Sequence, residues 1–62
     1  MLYIFSKAER TANQALVENA YRVAEKLTQQ HPEFAAIAVA IMVEAAKLEK
    51  LTELAQSYNL ID

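Results

Sequence analysis

The chain has 62 residues, no glycine, no cysteine and one proline, and its formal net charge is −2. A chain of this length buries only about 60% of the surface that its unfolded form exposes, and without cysteine it can form neither disulfides nor thiolate metal sites. Twelve alanines and the absence of glycine favour helix and exclude glycine-rich phosphate loops. Composition therefore predicts a small all-α protein that needs additional packing from a partner.

The charge balance and the apolar runs narrow the class of protein further. A sequence pI of about 5.3 argues against a general nucleic-acid binder, which normally carries a basic excess. The longest strongly apolar run, 34–43, has ten residues, whereas a membrane-spanning helix needs about 20. The apolar start 1–5 lacks a preceding basic region and is too short for a signal peptide. We expect a cytoplasmic protein without membrane contact.

The first predicted element is a long helix over about residues 7–30. Ser6 and Glu9 have capping-box spacing, in which the serine oxygen accepts from the third helical amide and the glutamate reaches back. A turn over about 31–32 follows, because Pro32 disfavours helical geometry at His31.

The second predicted helix covers about residues 32–58. Pro32 suits its first position, where a missing amide hydrogen leaves no bond unmade. Asn59 is expected to adopt the left-handed conformation that ends many helices. Two helices of this length in one short chain predict a single domain, an antiparallel helical hairpin over 1–62.

Two apolar stripes are expected to form the contact between the helices. Folding the chain at Pro32 pairs Leu27 with Ile37, Ala20 with Glu44 and Leu16 with Leu48. It also brings Phe5 near Tyr58, which places the apolar tail Leu2–Phe5 beside Leu60 and Ile61. The stripe on helix 1 comprises Leu16, Ala20, Val23 and Leu27, and the stripe on helix 2 comprises Phe34, Ile37, Ile41, Glu44, Leu48, Leu51, Ala55 and Tyr58.

Further apolar residues remain outside these stripes, and residues 34–43 are apolar around the whole helix. A helix that is apolar all round is buried on several sides, which two helices alone cannot achieve. The sequence therefore predicts a homodimeric four-helix bundle. The expected oligomer interface comprises Val17, Tyr21, Phe34, Val39, Met42 and Val43.

Glu44 interrupts the apolar stripe of helix 2 and is the candidate for a buried polar residue. Two copies across a dimer axis would then fix the register, as buried polar groups can do. The alternative is that Ala45 takes the core position while Glu44 lies at the edge and pairs with Lys47 at i+3.

No set of residues suggests an enzyme or a bound cofactor. His31 is the only histidine and is expected in the turn, without a carboxylate placed to orient it beside Thr28. Di-metal bundles use a Glu-x-x-His motif, which this sequence lacks, so we expect neither a metal nor a cofactor.

Three functional hypotheses remain open at this stage. The first is a non-enzymatic, self-associating regulator or adaptor that works through protein–protein contacts. The second is an RNA-binding dimer that uses basic residues on helix 1, namely Lys7, Arg10, Arg22 and Lys26. The third is one half of a hetero-oligomer, in which a different protein covers 34–43.

The predicted layout is two equal helices in about 60 residues. The chain also contains the segment Glu9-Arg10-Thr11-Ala12 near its start and Glu25-Lys26-Leu27 shortly before the turn. In layout the chain resembles the plasmid copy-number Rop family, whose members are dimeric four-helix bundles that bind RNA hairpins. The resemblance implies a dimeric bundle and RNA as a partner, and it assigns no functional residue to this sequence.

Overall fold

The computed structural model describes residues 3–61 and contains two long helices. Helix α1 covers Lys7–Gln30 and helix α2 covers Ala35–Ser57, with one 3-10 turn, Pro32–Phe34, between them. The helices pack against each other along their length. The prediction of an all-α helical hairpin is confirmed.

Helix α1 begins with the predicted capping box. The Glu9 amide donates to Ser6 Oγ at 3.1 Å, and the Ser6 amide donates to Glu9 Oε1 at 3.3 Å. Both groups would otherwise be unpaired at the first turn. At the other end of the helix, the His31 amide donates to the Leu27 carbonyl at 2.8 Å.

The start of the second helical segment differs from the prediction of a continuous α-helix from Pro32. Its first turn is 3-10, with the Phe34 amide donating to the His31 carbonyl at 2.9 Å. No side chain caps the N-terminus of α2. The 3-10 hydrogen bond instead gives the Phe34 amide a partner, where a capping side chain would otherwise bind a free amide. Glu33 Oε1 lies 3.2 Å from His31 Nδ1 in this turn.

Helix α2 ends at a left-handed residue, as the sequence predicted. Asn59 has φ 57°. The Leu60 amide donates to the Ala55 carbonyl at 2.8 Å, and the Asn59 amide donates to the Gln56 carbonyl at 3.1 Å. This pair of bonds is a Schellman motif, and it turns the chain back towards α1.

Backbone hydrogen bonds join the two ends of the described chain. The Leu60 carbonyl accepts from the Ile4 amide at 2.8 Å and from the Phe5 amide at 3.2 Å. Phe5 and Ile61 form an isolated parallel bridge. The predicted proximity of Phe5 to Ile61 is therefore observed, while the part of that expectation that concerned Leu2 lies outside the described residues.

The core between the helices consists of small side chains. Thr52 is the polar member, and its hydroxyl donates to the Leu48 carbonyl at 3.0 Å, so it is buried without an unmet hydrogen bond. The buried residues of 3–61 are Val17 and Ala24 on α1, and Ala38, Ala45, Thr52 and Ala55 on α2.

Most of the larger residues expected at the contact between the helices lie beside it. Leu16, Val23, Ile37 and Leu51 are exposed, whereas Ala55 is buried as predicted. Small residues, mainly alanines, occupy the buried positions between the helices. The distance between helix axes depends on the side chains at the contact, and alanine permits a short one. The larger side chains are thereby left at the rim of the contact, where a single chain does not cover them.

The hairpin is long and thin for its mass. Its dimensions are 48 × 16 × 12 Å and its radius of gyration is 14.0 Å, against about 10.6 Å for a compact domain of this length. Its accessible surface is 4694 Å², whereas a compact monomer of 7.0 kDa exposes roughly 4,000 Å². One chain therefore leaves more surface in water than a compact domain of its size.

Candidate interaction surfaces

One side of the hairpin carries a long apolar groove between the helices. Val17 and Ala45 form its floor, and its volume is about 480 Å³. Large aliphatic side chains dominate its walls, and Glu44 carries the charge among the described residues that line it. We call this surface the apolar groove; its walls are Leu16, Ala20, Ile37, Ala40, Ile41, Glu44 and Leu48.

The opposite side of the same contact is polar and acidic. Val17 also lines this side, which shows that the two surfaces flank the same row of buried residues. Three glutamates, Glu18, Glu49 and Glu53, surround a depression of about 330 Å³, and Glu25 lines a second depression nearer the turn. We call this surface the acidic side.

Half of the residues in the two stripes predicted to meet each other line the apolar groove, namely Leu16, Ala20, Ile37, Ile41, Glu44 and Leu48. Leu16 and Leu48, which were predicted to be paired, both line it, as do Ala20 and Glu44. The helices are rotated relative to the prediction, so that Val17 and Ala45 are buried while Leu16 and Ile37 are exposed. The spacing of Ala38, Ala45 and Thr52 at intervals of seven was the signal in the sequence for the true contact.

The residues predicted to form the oligomer interface do not share one face. Val17 is 6% exposed and belongs to the core of the single chain. Tyr21 is half-buried and lines the depression nearer the turn with Met42. Phe34 lies exposed in the 3-10 turn, and the remaining two residues are exposed on α2 away from the apolar groove, namely Val39 and Val43.

Glu44 is exposed within the single chain, and Ala45 takes the core position. The side chain of Glu44 is 73% exposed, and its Oε1 lies 3.1 Å from Lys47 Nζ, whose side chain is 68% exposed. This geometry is the edge arrangement that the sequence left open as the alternative. Burial of Glu44 therefore requires a second chain over the apolar groove.

The four basic residues named for RNA contacts fall into two groups. Lys7 and Arg10 line a depression of about 440 Å³ beside Asn59 and Ile61, at the end of the hairpin that holds both termini. Arg22 and Lys26 follow each other by one turn further along α1. Lys7 and Lys26 are 19 positions apart, or about 28 Å along the helix.

The described residues assemble no candidate catalytic or metal centre. His31 lies in the turn, with the Glu33 carboxylate beside its ring and the Phe34 ring tilted by 52° at 5.8 Å between ring centroids. Within residues 3–61, no three histidine, aspartate or glutamate side chains are grouped as metal ligands. Within the same range, neither helix has a stretch that is long and apolar enough to cross a bilayer.

Comparison with known proteins gives no assignment: no family model matches the chain, and neither a curated protein nor a solved structure matches it significantly. The fold and the two unlike sides of the hairpin are therefore the basis for a functional proposal.

Proposed function

We propose that this chain is a non-enzymatic, self-associating helical hairpin. Two copies pack with their apolar grooves face to face to form a homodimeric four-helix bundle. The assembled bundle works as a regulator or adaptor through protein–protein contacts, in the cytoplasm. The observation that supports this proposal is the apolar groove itself, whose walls hold large aliphatic side chains such as Leu16 and Ile37 that a single chain leaves exposed.

The size of the exposed side fits a stable dimer. The two longer dimensions of the hairpin, 48 × 16 Å, outline about 770 Å². A standard protein–protein interface buries about 800 Å² per partner, and apolar area at its centre supplies most of the free energy. Apolar patches of several hundred Å² on a small chain indicate an interaction site.

A second copy is the occupant that the charge distribution favours. The acidic side presents Glu18, Glu49 and Glu53, so two chains that met through that side would repel each other. The apolar grooves carry one charged group each, together with its own cation, Lys47. Self-association through the apolar groove leaves the acidic sides outermost and hydrated.

Two positions on α2 provide a matched test of this interface. Ile37 lines the apolar groove and is 52% exposed, whereas Val39 lies outside the groove and is 54% exposed. If the protein were a monomer, glutamate at either position would change its stability by a similar amount, because both side chains are exposed to nearly the same extent. The proposed dimer responds only to Ile37→Glu, which places two carboxylates in the apolar interface.

The measurement is the dissociation constant of the dimer, from sedimentation equilibrium over a wide concentration range. We expect Ile37→Glu to raise it by about 100-fold or more and Val39→Glu to leave it within a few-fold. A wild-type chain that remains monomeric and helical would overturn the proposal. So would dissociation caused by Val39→Glu alone, which would move the interface to the outer strip of α2.

A further inference from the structure

The middle of the apolar groove contains an ion pair that any bound partner must accommodate. Glu44 lines the groove, and Lys47 lies one turn further along α2, with 3.1 Å between Glu44 Oε1 and Lys47 Nζ. Both side chains are largely in water, so the pair is free to rearrange when a partner binds.

An apolar partner would take both members of the Glu44–Lys47 pair out of water and would supply no further hydrogen bonds to them. Taking a carboxylate out of water costs free energy unless a cation and hydrogen-bond donors replace the solvent. Apart from Glu44, the described residues that line the apolar groove are uncharged. A suitable partner must therefore add charged or hydrogen-bonding groups beside the Glu44–Lys47 pair, and a second copy adds its own Glu44 and Lys47.

Two symmetric arrangements place one apolar groove on another, and they treat Glu44 differently. If α2 lies on the partner's α1, Glu44 faces the α1 side of the partner's groove, which Leu16, Val17 and Ala20 line. These side chains supply neither a charge nor a hydrogen bond to the Glu44–Lys47 pair. If α2 lies antiparallel on the partner's α2, the two Glu44 residues meet near the two-fold axis, and the partner's Lys47 is one turn from each.

We infer that the dimer pairs α2 with α2, and that the two Glu44 and two Lys47 side chains form a neutral group of four charges at its centre. This inference rests on the proposed self-association. The group favours a second copy of this chain in the apolar groove, because another apolar surface would bury the Glu44–Lys47 pair without adding charges or hydrogen bonds to it. Glu44 and Lys47 are thus the specificity-determining residues of the interface.

Reciprocal charge variants test directly whether Glu44 of one chain pairs with Lys47 of the other, which we call the crossed pairing. Glu44→Lys and Lys47→Glu each place charges of one sign at the centre of their own homodimer, and we expect each to weaken dimerisation by about 10-fold or more. An equimolar mixture restores opposite charges across the interface. Native mass spectrometry, with one variant isotopically labelled, should show heterodimers well above the statistical half of all dimers.

The chain offers a control pair with the same spacing. Lys50 and Glu53 are also three residues apart on α2 and exposed, and Glu53 lines the acidic side. Mixed Lys50→Glu and Glu53→Lys chains should form heterodimers at the statistical fraction. Statistical mixing of the Glu44 and Lys47 variants as well would overturn the crossed pairing.

A distance measurement distinguishes the two arrangements independently. The chain has no cysteine, so Ser57→Cys gives a single spin-labelling site. Ser57 lies 13 positions from Glu44, so pairing α2 antiparallel with α2 separates the two labels by about 40 Å at 1.5 Å per residue. Pairing α2 with α1 places both labels at one end of the bundle, within about 20 Å.

The outcomes separate this inference from the proposed function. A dimer with a label distance of about 40 Å and selective mixing supports the inference. A dimer with the short distance, or with statistical mixing, overturns the inference and retains the self-association. A chain that stays monomeric overturns both.

Discussion

The two sides of the hairpin are built from the same pair of helices and differ sharply in chemistry. The apolar groove exposes leucine and isoleucine from both helices, with one glutamate among its described residues. The acidic side presents Glu18, Glu49 and Glu53 around a polar depression. A chain that worked alone would have no physical reason to keep the first side in water.

In the proposed dimer, different side chains would serve folding and assembly. Contacts within the chain use alanines such as Ala38 and Ala45, which bring the helices together but bury little area. The larger side chains of the apolar groove, which release more free energy on burial, would pack against the second chain. The acidic side would oppose association through its own face, because like charges repel there.

The largest expected effect comes from shortening a leucine of the apolar groove, compared with shortening an exposed leucine outside it. Leu16 lines the apolar groove, and Leu54 is exposed outside it. In the proposed dimer, Leu16→Ala removes buried contacts and should lower the free energy of unfolding by about 2 kcal/mol, measured by urea denaturation at a dimeric concentration. Leu54→Ala should cost less than about 0.5 kcal/mol, and equal losses would contradict the role of the groove.

The second effect concerns the alanines between the helices. Ala45→Leu forces a large side chain into the close contact and should destabilise the protein by about 1–3 kcal/mol. Ala46 is exposed, so Ala46→Leu serves as the control and should change stability little. Thermal unfolding followed by circular dichroism measures both, and tolerance of leucine at Ala45 would show that the helices do not meet there.

A smaller effect is expected from the cap of α1, which serves both sides of the hairpin equally. Ser6→Ala removes the acceptor of the Glu9 amide and should cost about 1 kcal/mol of folding free energy. Ser57→Ala is the comparison, because the Ser57 hydroxyl only donates to the Leu54 carbonyl of its own helix. In the Ser57→Cys dimer, the distance between the two spin labels should not change when Ser6→Ala is added, since the cap is remote from the apolar groove.

The smallest effect is expected at the left-handed end of α2. Asn59→Gly should leave stability unchanged or raise it by a few tenths of a kcal/mol, because glycine adopts φ 57° without a clash. Asn59→Ala should lower it by about 1 kcal/mol, since a Cβ is unfavourable there. If both variants matched the wild type in urea denaturation, the Schellman motif would contribute nothing to stability.

Local signals in the sequence were sufficient to predict the elements. Ser6 and Glu9 specify the start of α1, Pro32 the turn, and Asn59 the end of α2, because each acts through hydrogen bonds or backbone sterics within a few residues. The first turn after His31 was less predictable. Whether it is α or 3-10 depends on small differences in bonding at an uncapped end.

The sequence by itself determined that this protein is a hairpin of two long helices, with more apolar surface than two helices can cover. Only the tertiary structure decided which apolar side chains the single hairpin leaves exposed. Residues 34–43 are apolar all round, so periodicity could not fix the rotation of α2, and size favoured Ile37 for the contact. Close approach of the helix axes favours alanine instead, and that choice places Leu16, Ile37 and Glu44 on the open side.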